Sequence, residues 1–482
     1  MTPQQKPDAE DLAALLAPDI LELLESSPGS VAAETAELHP ADLADVAEAM
    51  PRASLPAFLA ALSPERAADV LEYLDEEIRT ALLEGMTTEQ AAPLVAQMDP
   101  DERADVLEEV DEDTAEDILG AIPEATRRET RRLLEFEADT AGGLMTTEVV
   151  SVLETDTVES ALSQVRAIAR GGRREAMNTI YVLNAAGELA GVMSLRELLA
   201  AAEGARIQDV AWTDVQRVVA TADREEVARM TVEYDLVAVP VVDEHGRLLG
   251  AVTVDDVIDA IEEEQTEDVQ KLGGMQALDE PYMQTGFLAL LKKRAGWLAV
   301  LFVGEMFTAS AMGYFESELQ RATVLMLFVP LIISSGGNSG SQATSLIIRS
   351  LALGEATLAD WWRVAIRELS SGLALGGILG TIGALRVLAW QALAGKNVHL
   401  GSLLIGYDYG PNYTLIAITV FVTLIGVVTF GTLAGSMLPF VLRRAGFDPA
   451  SASAPFVATL VDVTGLVIYF TVALVILRGT LL

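Results

Sequence analysis

Ala454-Pro-Phe-Val-Ala-Thr-Leu-Val-Asp462-Val-Thr-Gly-Leu-Val-Ile-Tyr-Phe470 decides how the rest of the chain is read. From Pro455 to Leu477 this stretch carries a single charge, Asp462. An apolar run of that length reads as a membrane-spanning helix, since about 20 residues cross the hydrocarbon core. An ionisable group inside such a helix is costly, so it is expected to line a polar path or to pair with another group. The plainer alternative is a carboxylate hydrogen-bonded to a neighbouring helix.

Working outward, four more apolar segments precede it: Trp297–Phe315, Val324–Ile348, Val364–Trp390 and Leu415–Leu442. Five spans are therefore expected. Lys292, Lys293, Arg294, Arg349, Arg363, Arg367, Arg443 and Arg444 fall at one set of span ends, and Arg321, Lys396 and Arg478 at the other. The richer side is read as cytoplasmic, which places the N-terminal half inside and the C-terminus outside. The second span reads as broken, because Pro330-Leu-Ile-Ile-Ser-Ser-Gly336-Gly337-Asn338-Ser-Gly340-Ser-Gln342 sets three glycines among polar side chains. Irregular backbone at that depth must be buried or line a watery cavity, and small residues also let helices approach closely. The side-chain amides favour the cavity.

The 482 residues hold 71 acids against 32 Lys and Arg, a net charge of −39, yet 51% of them are hydrophobic. The conflict resolves by position. Residues 1–282 carry 62 Asp and Glu against 20 Lys and Arg, whereas residues 283–482 carry 9 against 12. An acidic half precedes a nearly neutral apolar one. Such a charge argues against nucleic acid and anionic lipid headgroups as partners, and favours cations. The chain has no cysteine and only three histidines (His39, His245, His399), so disulfides and thiolate or histidine metal centres are not expected. The opening residues are polar and acidic, so no signal peptide is expected.

Residues 10–136 show apolar positions at helical spacing, with turns beginning at Pro40, Pro64 and Pro100. Ser63-Pro-Glu-Arg-Ala-Ala-Asp-Val-Leu-Glu and Asp99-Pro-Asp-Glu-Arg-Ala-Asp-Val-Leu-Glu resemble each other, each with an N-cap residue ahead of a first-turn proline. A solenoid of short helices is expected. Most acids here read as a solvated face. Asp101 and Asp105 stand out because their spacing puts both carboxylates on one face.

The next segment is a duplication. Gly187-Glu-Leu-Ala-Gly-Val-Met-Ser194-Leu-Arg-Glu197-Leu matches Gly246-Arg-Leu-Leu-Gly-Ala-Val-Thr253-Val-Asp-Asp256-Val at an offset of 59 residues. Short strands, Thr179–Leu183 and Ala238–Val242, precede the two copies. Two small α/β modules follow from this pattern. They resemble a tandem CBS domain, which implies that Ser194, Thr253 and Asp256 hold the ribose of a regulatory nucleotide such as ATP. The alternative is a capping box at each helix start. The second copy runs into an acidic helix carrying Asp255, Asp256, Asp259, Glu262, Glu263, Glu264, Glu267 and Asp268. Carboxylates without histidine or cysteine select hard cations such as Mg²⁺ or Ca²⁺.

The glycine-rich stretch around Asn338 and the Phe456-Val-Ala-Thr-Leu-Val-Asp-Val-Thr-Gly stretch together resemble the membrane signatures of the MgtE family of magnesium channels. The domain order resembles that family too. The resemblance implies a multidomain membrane protein with an acidic α-helical N domain (1–138), tandem α/β CBS domains (139–262), a connecting helix (263–290) and an α-helical membrane domain of five spans (291–482). It implies a homodimer with its pore on the twofold axis. Asp462 and the carbonyl of Ala458 would meet hydrated Mg²⁺ there, Gly337 and Asn338 would line the path, and Asp448 would stand at its cytosolic mouth. Asp235, Asp256, Asp259, Glu264, Glu267 and Asp268, with Asp101 and Asp105 from the N domain, would form a cytosolic Mg²⁺ sensor. Glu305, an extra acid in the first span, matches none of these motifs.

The expected function is import of Mg²⁺ across the cell membrane, shut off when internal Mg²⁺ bridges the cytosolic acids. A proton-coupled carrier using Glu305 and Asp462 as a relay is the alternative, and a non-conducting nucleotide receptor another. An enzyme is not expected, because no nucleophile–base pair and no P-loop is present.

Overall fold

The computed structural model describes residues 9–170, 176–202, 204–278, 282–283, 285–394, 398–400 and 403–481. The chain forms two compact units, residues 1–261 and 262–482.

The first unit begins with short helices running from α1 (Ala9–Ser26) to α10 (Glu124–Leu133). Proline opens α3 (Pro40–Glu48), α5 (Pro64–Glu72) and α8 (Pro100–Glu109), where its missing N–H costs nothing. Ser63 caps α5 by accepting from Arg66 N at 3.3 Å. One device recurs down the stack. Glu48, Glu72 and Glu84 each accept the backbone N–H of an N-cap residue 27 positions on: Asp75 at 2.8 Å, Asp99 at 3.1 Å and Asp111 at 3.4 Å. Those caps start α6 (Glu76–Gly85), α8 and α9 (Glu112–Ala121), so each acid satisfies an orphan donor of a later helix. Beneath this polar stitching runs one apolar core that includes Leu43, Phe58, Leu71, Leu83 and Ile118.

Two α/β modules follow. In the first, β1 (Val149–Leu153) pairs parallel with β2 (Ala176–Leu183), and β2 pairs antiparallel with β3 (Leu189–Ser194). Helices α11 (Val158–Arg170) and α12 (Leu195–Ala200) complete it. The second repeats the order with β4 (Val218–Val219), α13 (Arg224–Tyr234), β5 (Ala238–Val242), β6 (Leu248–Thr253) and α14 (Val254–Leu272). The two copies bond reciprocally: Leu189 N donates to Gly246 O at 2.9 Å, and Leu248 N to Gly187 O at 3.4 Å. Equivalent residues exchange equivalent bonds, which is the local twofold expected of a duplication. The connecting helix expected at 263–290 is not a separate element, because α14 runs unbroken from Val254 to Leu272.

Among the described residues, the second unit holds five helices long and apolar enough to cross a membrane: Phe287–Tyr314, Thr323–Ala352, Leu358–Leu393, Tyr413–Arg444 and Ala454–Leu477. Their α-helical parts are α15 (Phe287–Tyr314), α17 (Val329–Ala352), α18 (Trp361–Leu393), α19 (Tyr413–Arg444) and α20 (Ala454–Leu477), with α16 (Glu316–Arg321) between the first two. Of the basic residues used to orient the spans, Lys396 lies outside the described residues.

The expected break in the second span is absent. Helix α17 continues through Gly336, Gly337, Asn338 and Gly340. The glycines instead admit a neighbouring backbone. A Cβ on Gly340 would stand 3.0 Å from Gly431 O, and one on Gly336 would strike Val427 and Val461. Helix α18 uses the same means against α19. Gly372, Gly376 and Gly380 approach Thr429, Ile425 and Phe421 so closely that a Cβ would fall within 3 Å of their backbones.

Candidate functional site

Asp462 lies half-buried on α20, beside the stripe Val457, Val461, Gly465 and Leu466 that faces the bundle interior. Helix α15 packs along α20 tightly enough that a Cβ on Gly304 would sit 2.9 Å from Thr459 Cγ2. The next residue, Glu305, comes within side-chain hydrogen-bonding reach of Asp462. The unassigned acid of the first span is therefore the neighbour of the central acid of the last. Its only sequence signal was its cost: a charge in a span needs a partner.

Ala458, one turn before Asp462, packs against α17 at Gly337, where a Cβ would meet the Ala458 Cβ at an ordinary 3.6 Å. Asn338 follows Gly337 and turns outward, with Nδ2 donating to Ser334 Oγ at 3.4 Å. Ser334, Asn338 and Gln342 recur every four residues and are all exposed. They make a polar stripe along the exposed side of the span. Gly337, Ala458 and Asp462 thus share one pair of packed helices, and Asn338 stands on the open side of that pair.

Asp448 precedes the 3₁₀ turn Pro449–Ser451 that leads into α20, and it accepts from Ala450 N at 2.8 Å. It also accepts from Lys271 Nζ at 2.6 Å, while the same ammonium lies 2.5 Å from Glu267. Asp268 is pushed up to about 6, mainly by burial and then by Asp448 and Glu264. Four of the expected acids, Glu264, Glu267, Asp268 and Asp448, are brought together here around a lysine that sequence reading passed over. The signal was present, since Lys271 stands four residues after Glu267 on one helix.

The remaining acids expected of the sensor belong to the other unit. Asp101 and Asp105 are not equivalent on α8: Asp101 is buried and Asp105 exposed. Between them Glu102 faces α14. Burial pushes it up to about 7, Arg79 opposes the rise, and Asp256 adds to it. Asp256 is itself pushed up to about 6, first by burial, against a bond from Thr253 and with Asp255 and Asp259 adding to it. Ala104 of α8 and Val257 of α14 share one apolar core, which fixes this approach of acid to acid. Glu102 was missed because only the fold shows which side of α8 meets α14. Asp235 caps α13 in the left-handed conformation (φ 52°) and is exposed, belonging to neither group. Among the described residues, no three His, Asp or Glu side chains converge closely enough to hold a metal ion unaided.

The expected nucleotide residues are turned inward. Ser194 and Glu197 form a reciprocal capping box, and Glu197 also accepts from Trp212 Nε1 at 2.6 Å. Thr253 Oγ1 donates to Asp256 Oδ2 at 2.5 Å.

Residues 329–472 match the MgtE family model, described as a divalent cation transporter, 38–139 match the MgtE intracellular N domain, and 141–204 and 207–263 match CBS domains. The chain is 43% identical over 354 residues to the magnesium transporter MgtE of Thermus thermophilus, covering 73% of this chain and 74% of that one. It is 34% identical over 350 residues to the magnesium transporter MgtE of Enterococcus faecalis, covering 73% and 72%.

The chain belongs to the MgtE family.

The solved soluble part of a magnesium transporter superposes on 52% of this chain and 99% of its own with a TM-score of 0.50 at 30% identity. As an MgtE protein, the chain is a multi-pass membrane protein with a helical N domain, a CBS pair and five spans. The MgtE match in the membrane unit contains Gly337, Asn338, Asp448, Ala458 and Asp462, but Glu305 and Lys271 fall outside all the matched segments.

Proposed function

We propose that this chain is a Mg²⁺ channel that imports the ion through a dimeric pore centred on Asp462 and closes when internal Mg²⁺ binds the cytosolic acids. The observation that carries the reading is the exposed polar stripe Ser334, Asn338 and Gln342, set beside the Gly337–Ala458 contact and the helix bearing Asp462. Amide side chains at membrane depth are costly against lipid, so this face is best served by a water-filled lumen or a second copy. A homodimer with its axis along this face supplies both, and brings two copies of Asp462 to one path. Mg²⁺ sheds water reluctantly, so a path lined by the Asp462 carboxylate, the Ala458 carbonyl and the Asn338 amide suits a hydrated ion.

In the same reading, the N-terminal half is cytoplasmic and the C-terminus lies outside. Glu102 and Asp256, with Asp101, Asp105 and Asp259, and separately Glu264, Glu267, Asp268 and Asp448, repel one another when internal Mg²⁺ is low. Bound Mg²⁺ relieves that repulsion and favours the closed state. A regulatory ATP at Thr253, Asp256 and Ser194 would have to exchange capping bonds for ribose bonds. Conductance of inside-out patches tests the gate: open probability should fall as Mg²⁺ is raised on the cytosolic face, and an unchanged open probability contradicts it.

The contact between Glu305 and Asp462 favours a second reading, a proton-coupled divalent carrier, because paired intramembrane carboxyls also form proton relays. An external pH gradient would then drive uptake, whereas a channel responds to the Mg²⁺ gradient and voltage alone.

A further inference from the structure

One cation already sits among the acids at the end of α14, and it belongs to the chain. Lys271 Nζ lies 2.6 Å from Asp448 Oδ2 and 2.5 Å from Glu267 Oε1. Its side chain is only 28% exposed. Asp268 feels Asp448, Glu264, Lys271 and Glu267 together, and the ammonium bridges two of these carboxylates directly, Glu267 and Asp448. Asp448 is meanwhile held in place by its bond from Ala450 N, at the head of the turn into α20. The lysine thus fastens the last turn of α14 to the segment from which the Asp462 helix starts.

A lysine ammonium is a compact point charge, and among carboxylates it occupies the place a metal cation would take. It brings one positive charge to the two carboxylates it bridges. A divalent ion brings two and accepts carboxylate oxygens as ligands. It cannot share Asp448 Oδ2 with an ammonium 2.6 Å away without strong repulsion. We propose that Lys271 is a built-in competitor for the regulatory divalent cation. Mg²⁺ engages Glu267 and Asp448 by displacing the ammonium they share, and Lys271 thereby sets the internal Mg²⁺ concentration at which the path closes. The inference rests on the gating reading above and adds to it the residue that tunes its threshold.

The test uses full-length protein in inside-out patches, comparing wild type, Lys271→Met and Lys271→Arg while MgCl₂ is varied on the cytosolic side. Methionine keeps the unbranched stem of the side chain and removes the ammonium. It should lower the half-closing Mg²⁺ concentration by about three- to fivefold, the scale of one partly exposed ion pair. Arginine should stay near wild type. An unchanged midpoint for Lys271→Met overturns the proposal. So does a raised midpoint, which would make the lysine a clasp of the closed state. Should Lys271→Met not assemble, Lys271→Gln, read by Mg²⁺-dependent protection of the chain after Leu272 from protease, gives the same midpoint without conduction. A wild type that ignores internal Mg²⁺ removes the gating reading itself. A wild type that closes beside a Lys271→Met variant with the same midpoint removes only this inference.

Discussion

Gly431 of α19 rests against the carbonyl of Gly336 in α17, so close that any Cβ at Gly431 would overlap that oxygen. Two membrane helices meet backbone to backbone, and α17 runs unbroken through this crossing while its polar stripe faces away from the bundle. The glycines therefore serve helix approach, and the amide that accompanies them serves the open face.

Substituting Gly431→Val should cost about 1–3 kcal/mol through overpacking, since backbone stands on the other side and cannot yield. Thermal unfolding of the detergent-solubilised protein should fall by several degrees, with Mg²⁺ flux lost in parallel. Gly377→Ala, on α18 where a Cβ meets nothing within 4 Å, should leave both unchanged.

The cytosolic unit should become less stable as pH rises when Mg²⁺ is chelated. Burial raises Glu102 from 4.5 to about 7 and Asp256 from 3.8 to about 6, so folding disfavours both charges. An acid whose folded value is raised contributes stability below its unfolded value and loses it as pH climbs through the folded one. Hydrogen exchange across residues 100–109 of the full chain should thus quicken between about pH 4.5 and pH 7, and added Mg²⁺ should slow it most at the upper end. Exchange that slows with rising pH, after correction for intrinsic rates, would contradict this crowding of acids.

At Ser194 and Thr253, the capping bonds predict a cost of about 1 kcal/mol for Ser194→Ala or Thr253→Ala, read as a lower unfolding temperature. A nucleotide at the second module would show itself separately. ATP would raise the wild-type unfolding temperature, and Thr253→Ala would abolish that rise.

The chain contains no cysteine, so single thiols report topology without background. Thr480→Cys, beyond α20, should react with a membrane-impermeant maleimide from outside intact cells. Phe447→Cys, exposed between α19 and α20, should react only after the membrane is opened. The opposite pattern would invert the proposed orientation.

Much of this was legible in the sequence, because the informative signals were local. Ser63 before Pro64 announces a helix start, and the 59-residue offset announces two modules that do bond reciprocally. The Asp462 span is legible from its length and its lone charge. What the sequence left ambiguous depends on distance along the chain. Glu305 meets Asp462, and Lys271 meets Asp448 across 177 residues, so neither partner shows in any window. The glycines around Asn338 signalled either close packing or a cavity, and only the position of Gly431 and Gly435 decides for packing. Glu102 lay hidden between Asp101 and Asp105 because the spacing of acids along a helix does not tell which side meets α14.

The most direct test of a Mg²⁺ path centred on Asp462 is Mg²⁺ influx into proteoliposomes holding wild type, Asp462→Ala or Asp462→Asn at matched protein content. The account predicts that both variants fall to near background, with any residual flux no longer favouring Mg²⁺ over Na⁺. Wild-type Mg²⁺ influx through Asp462→Ala would contradict it.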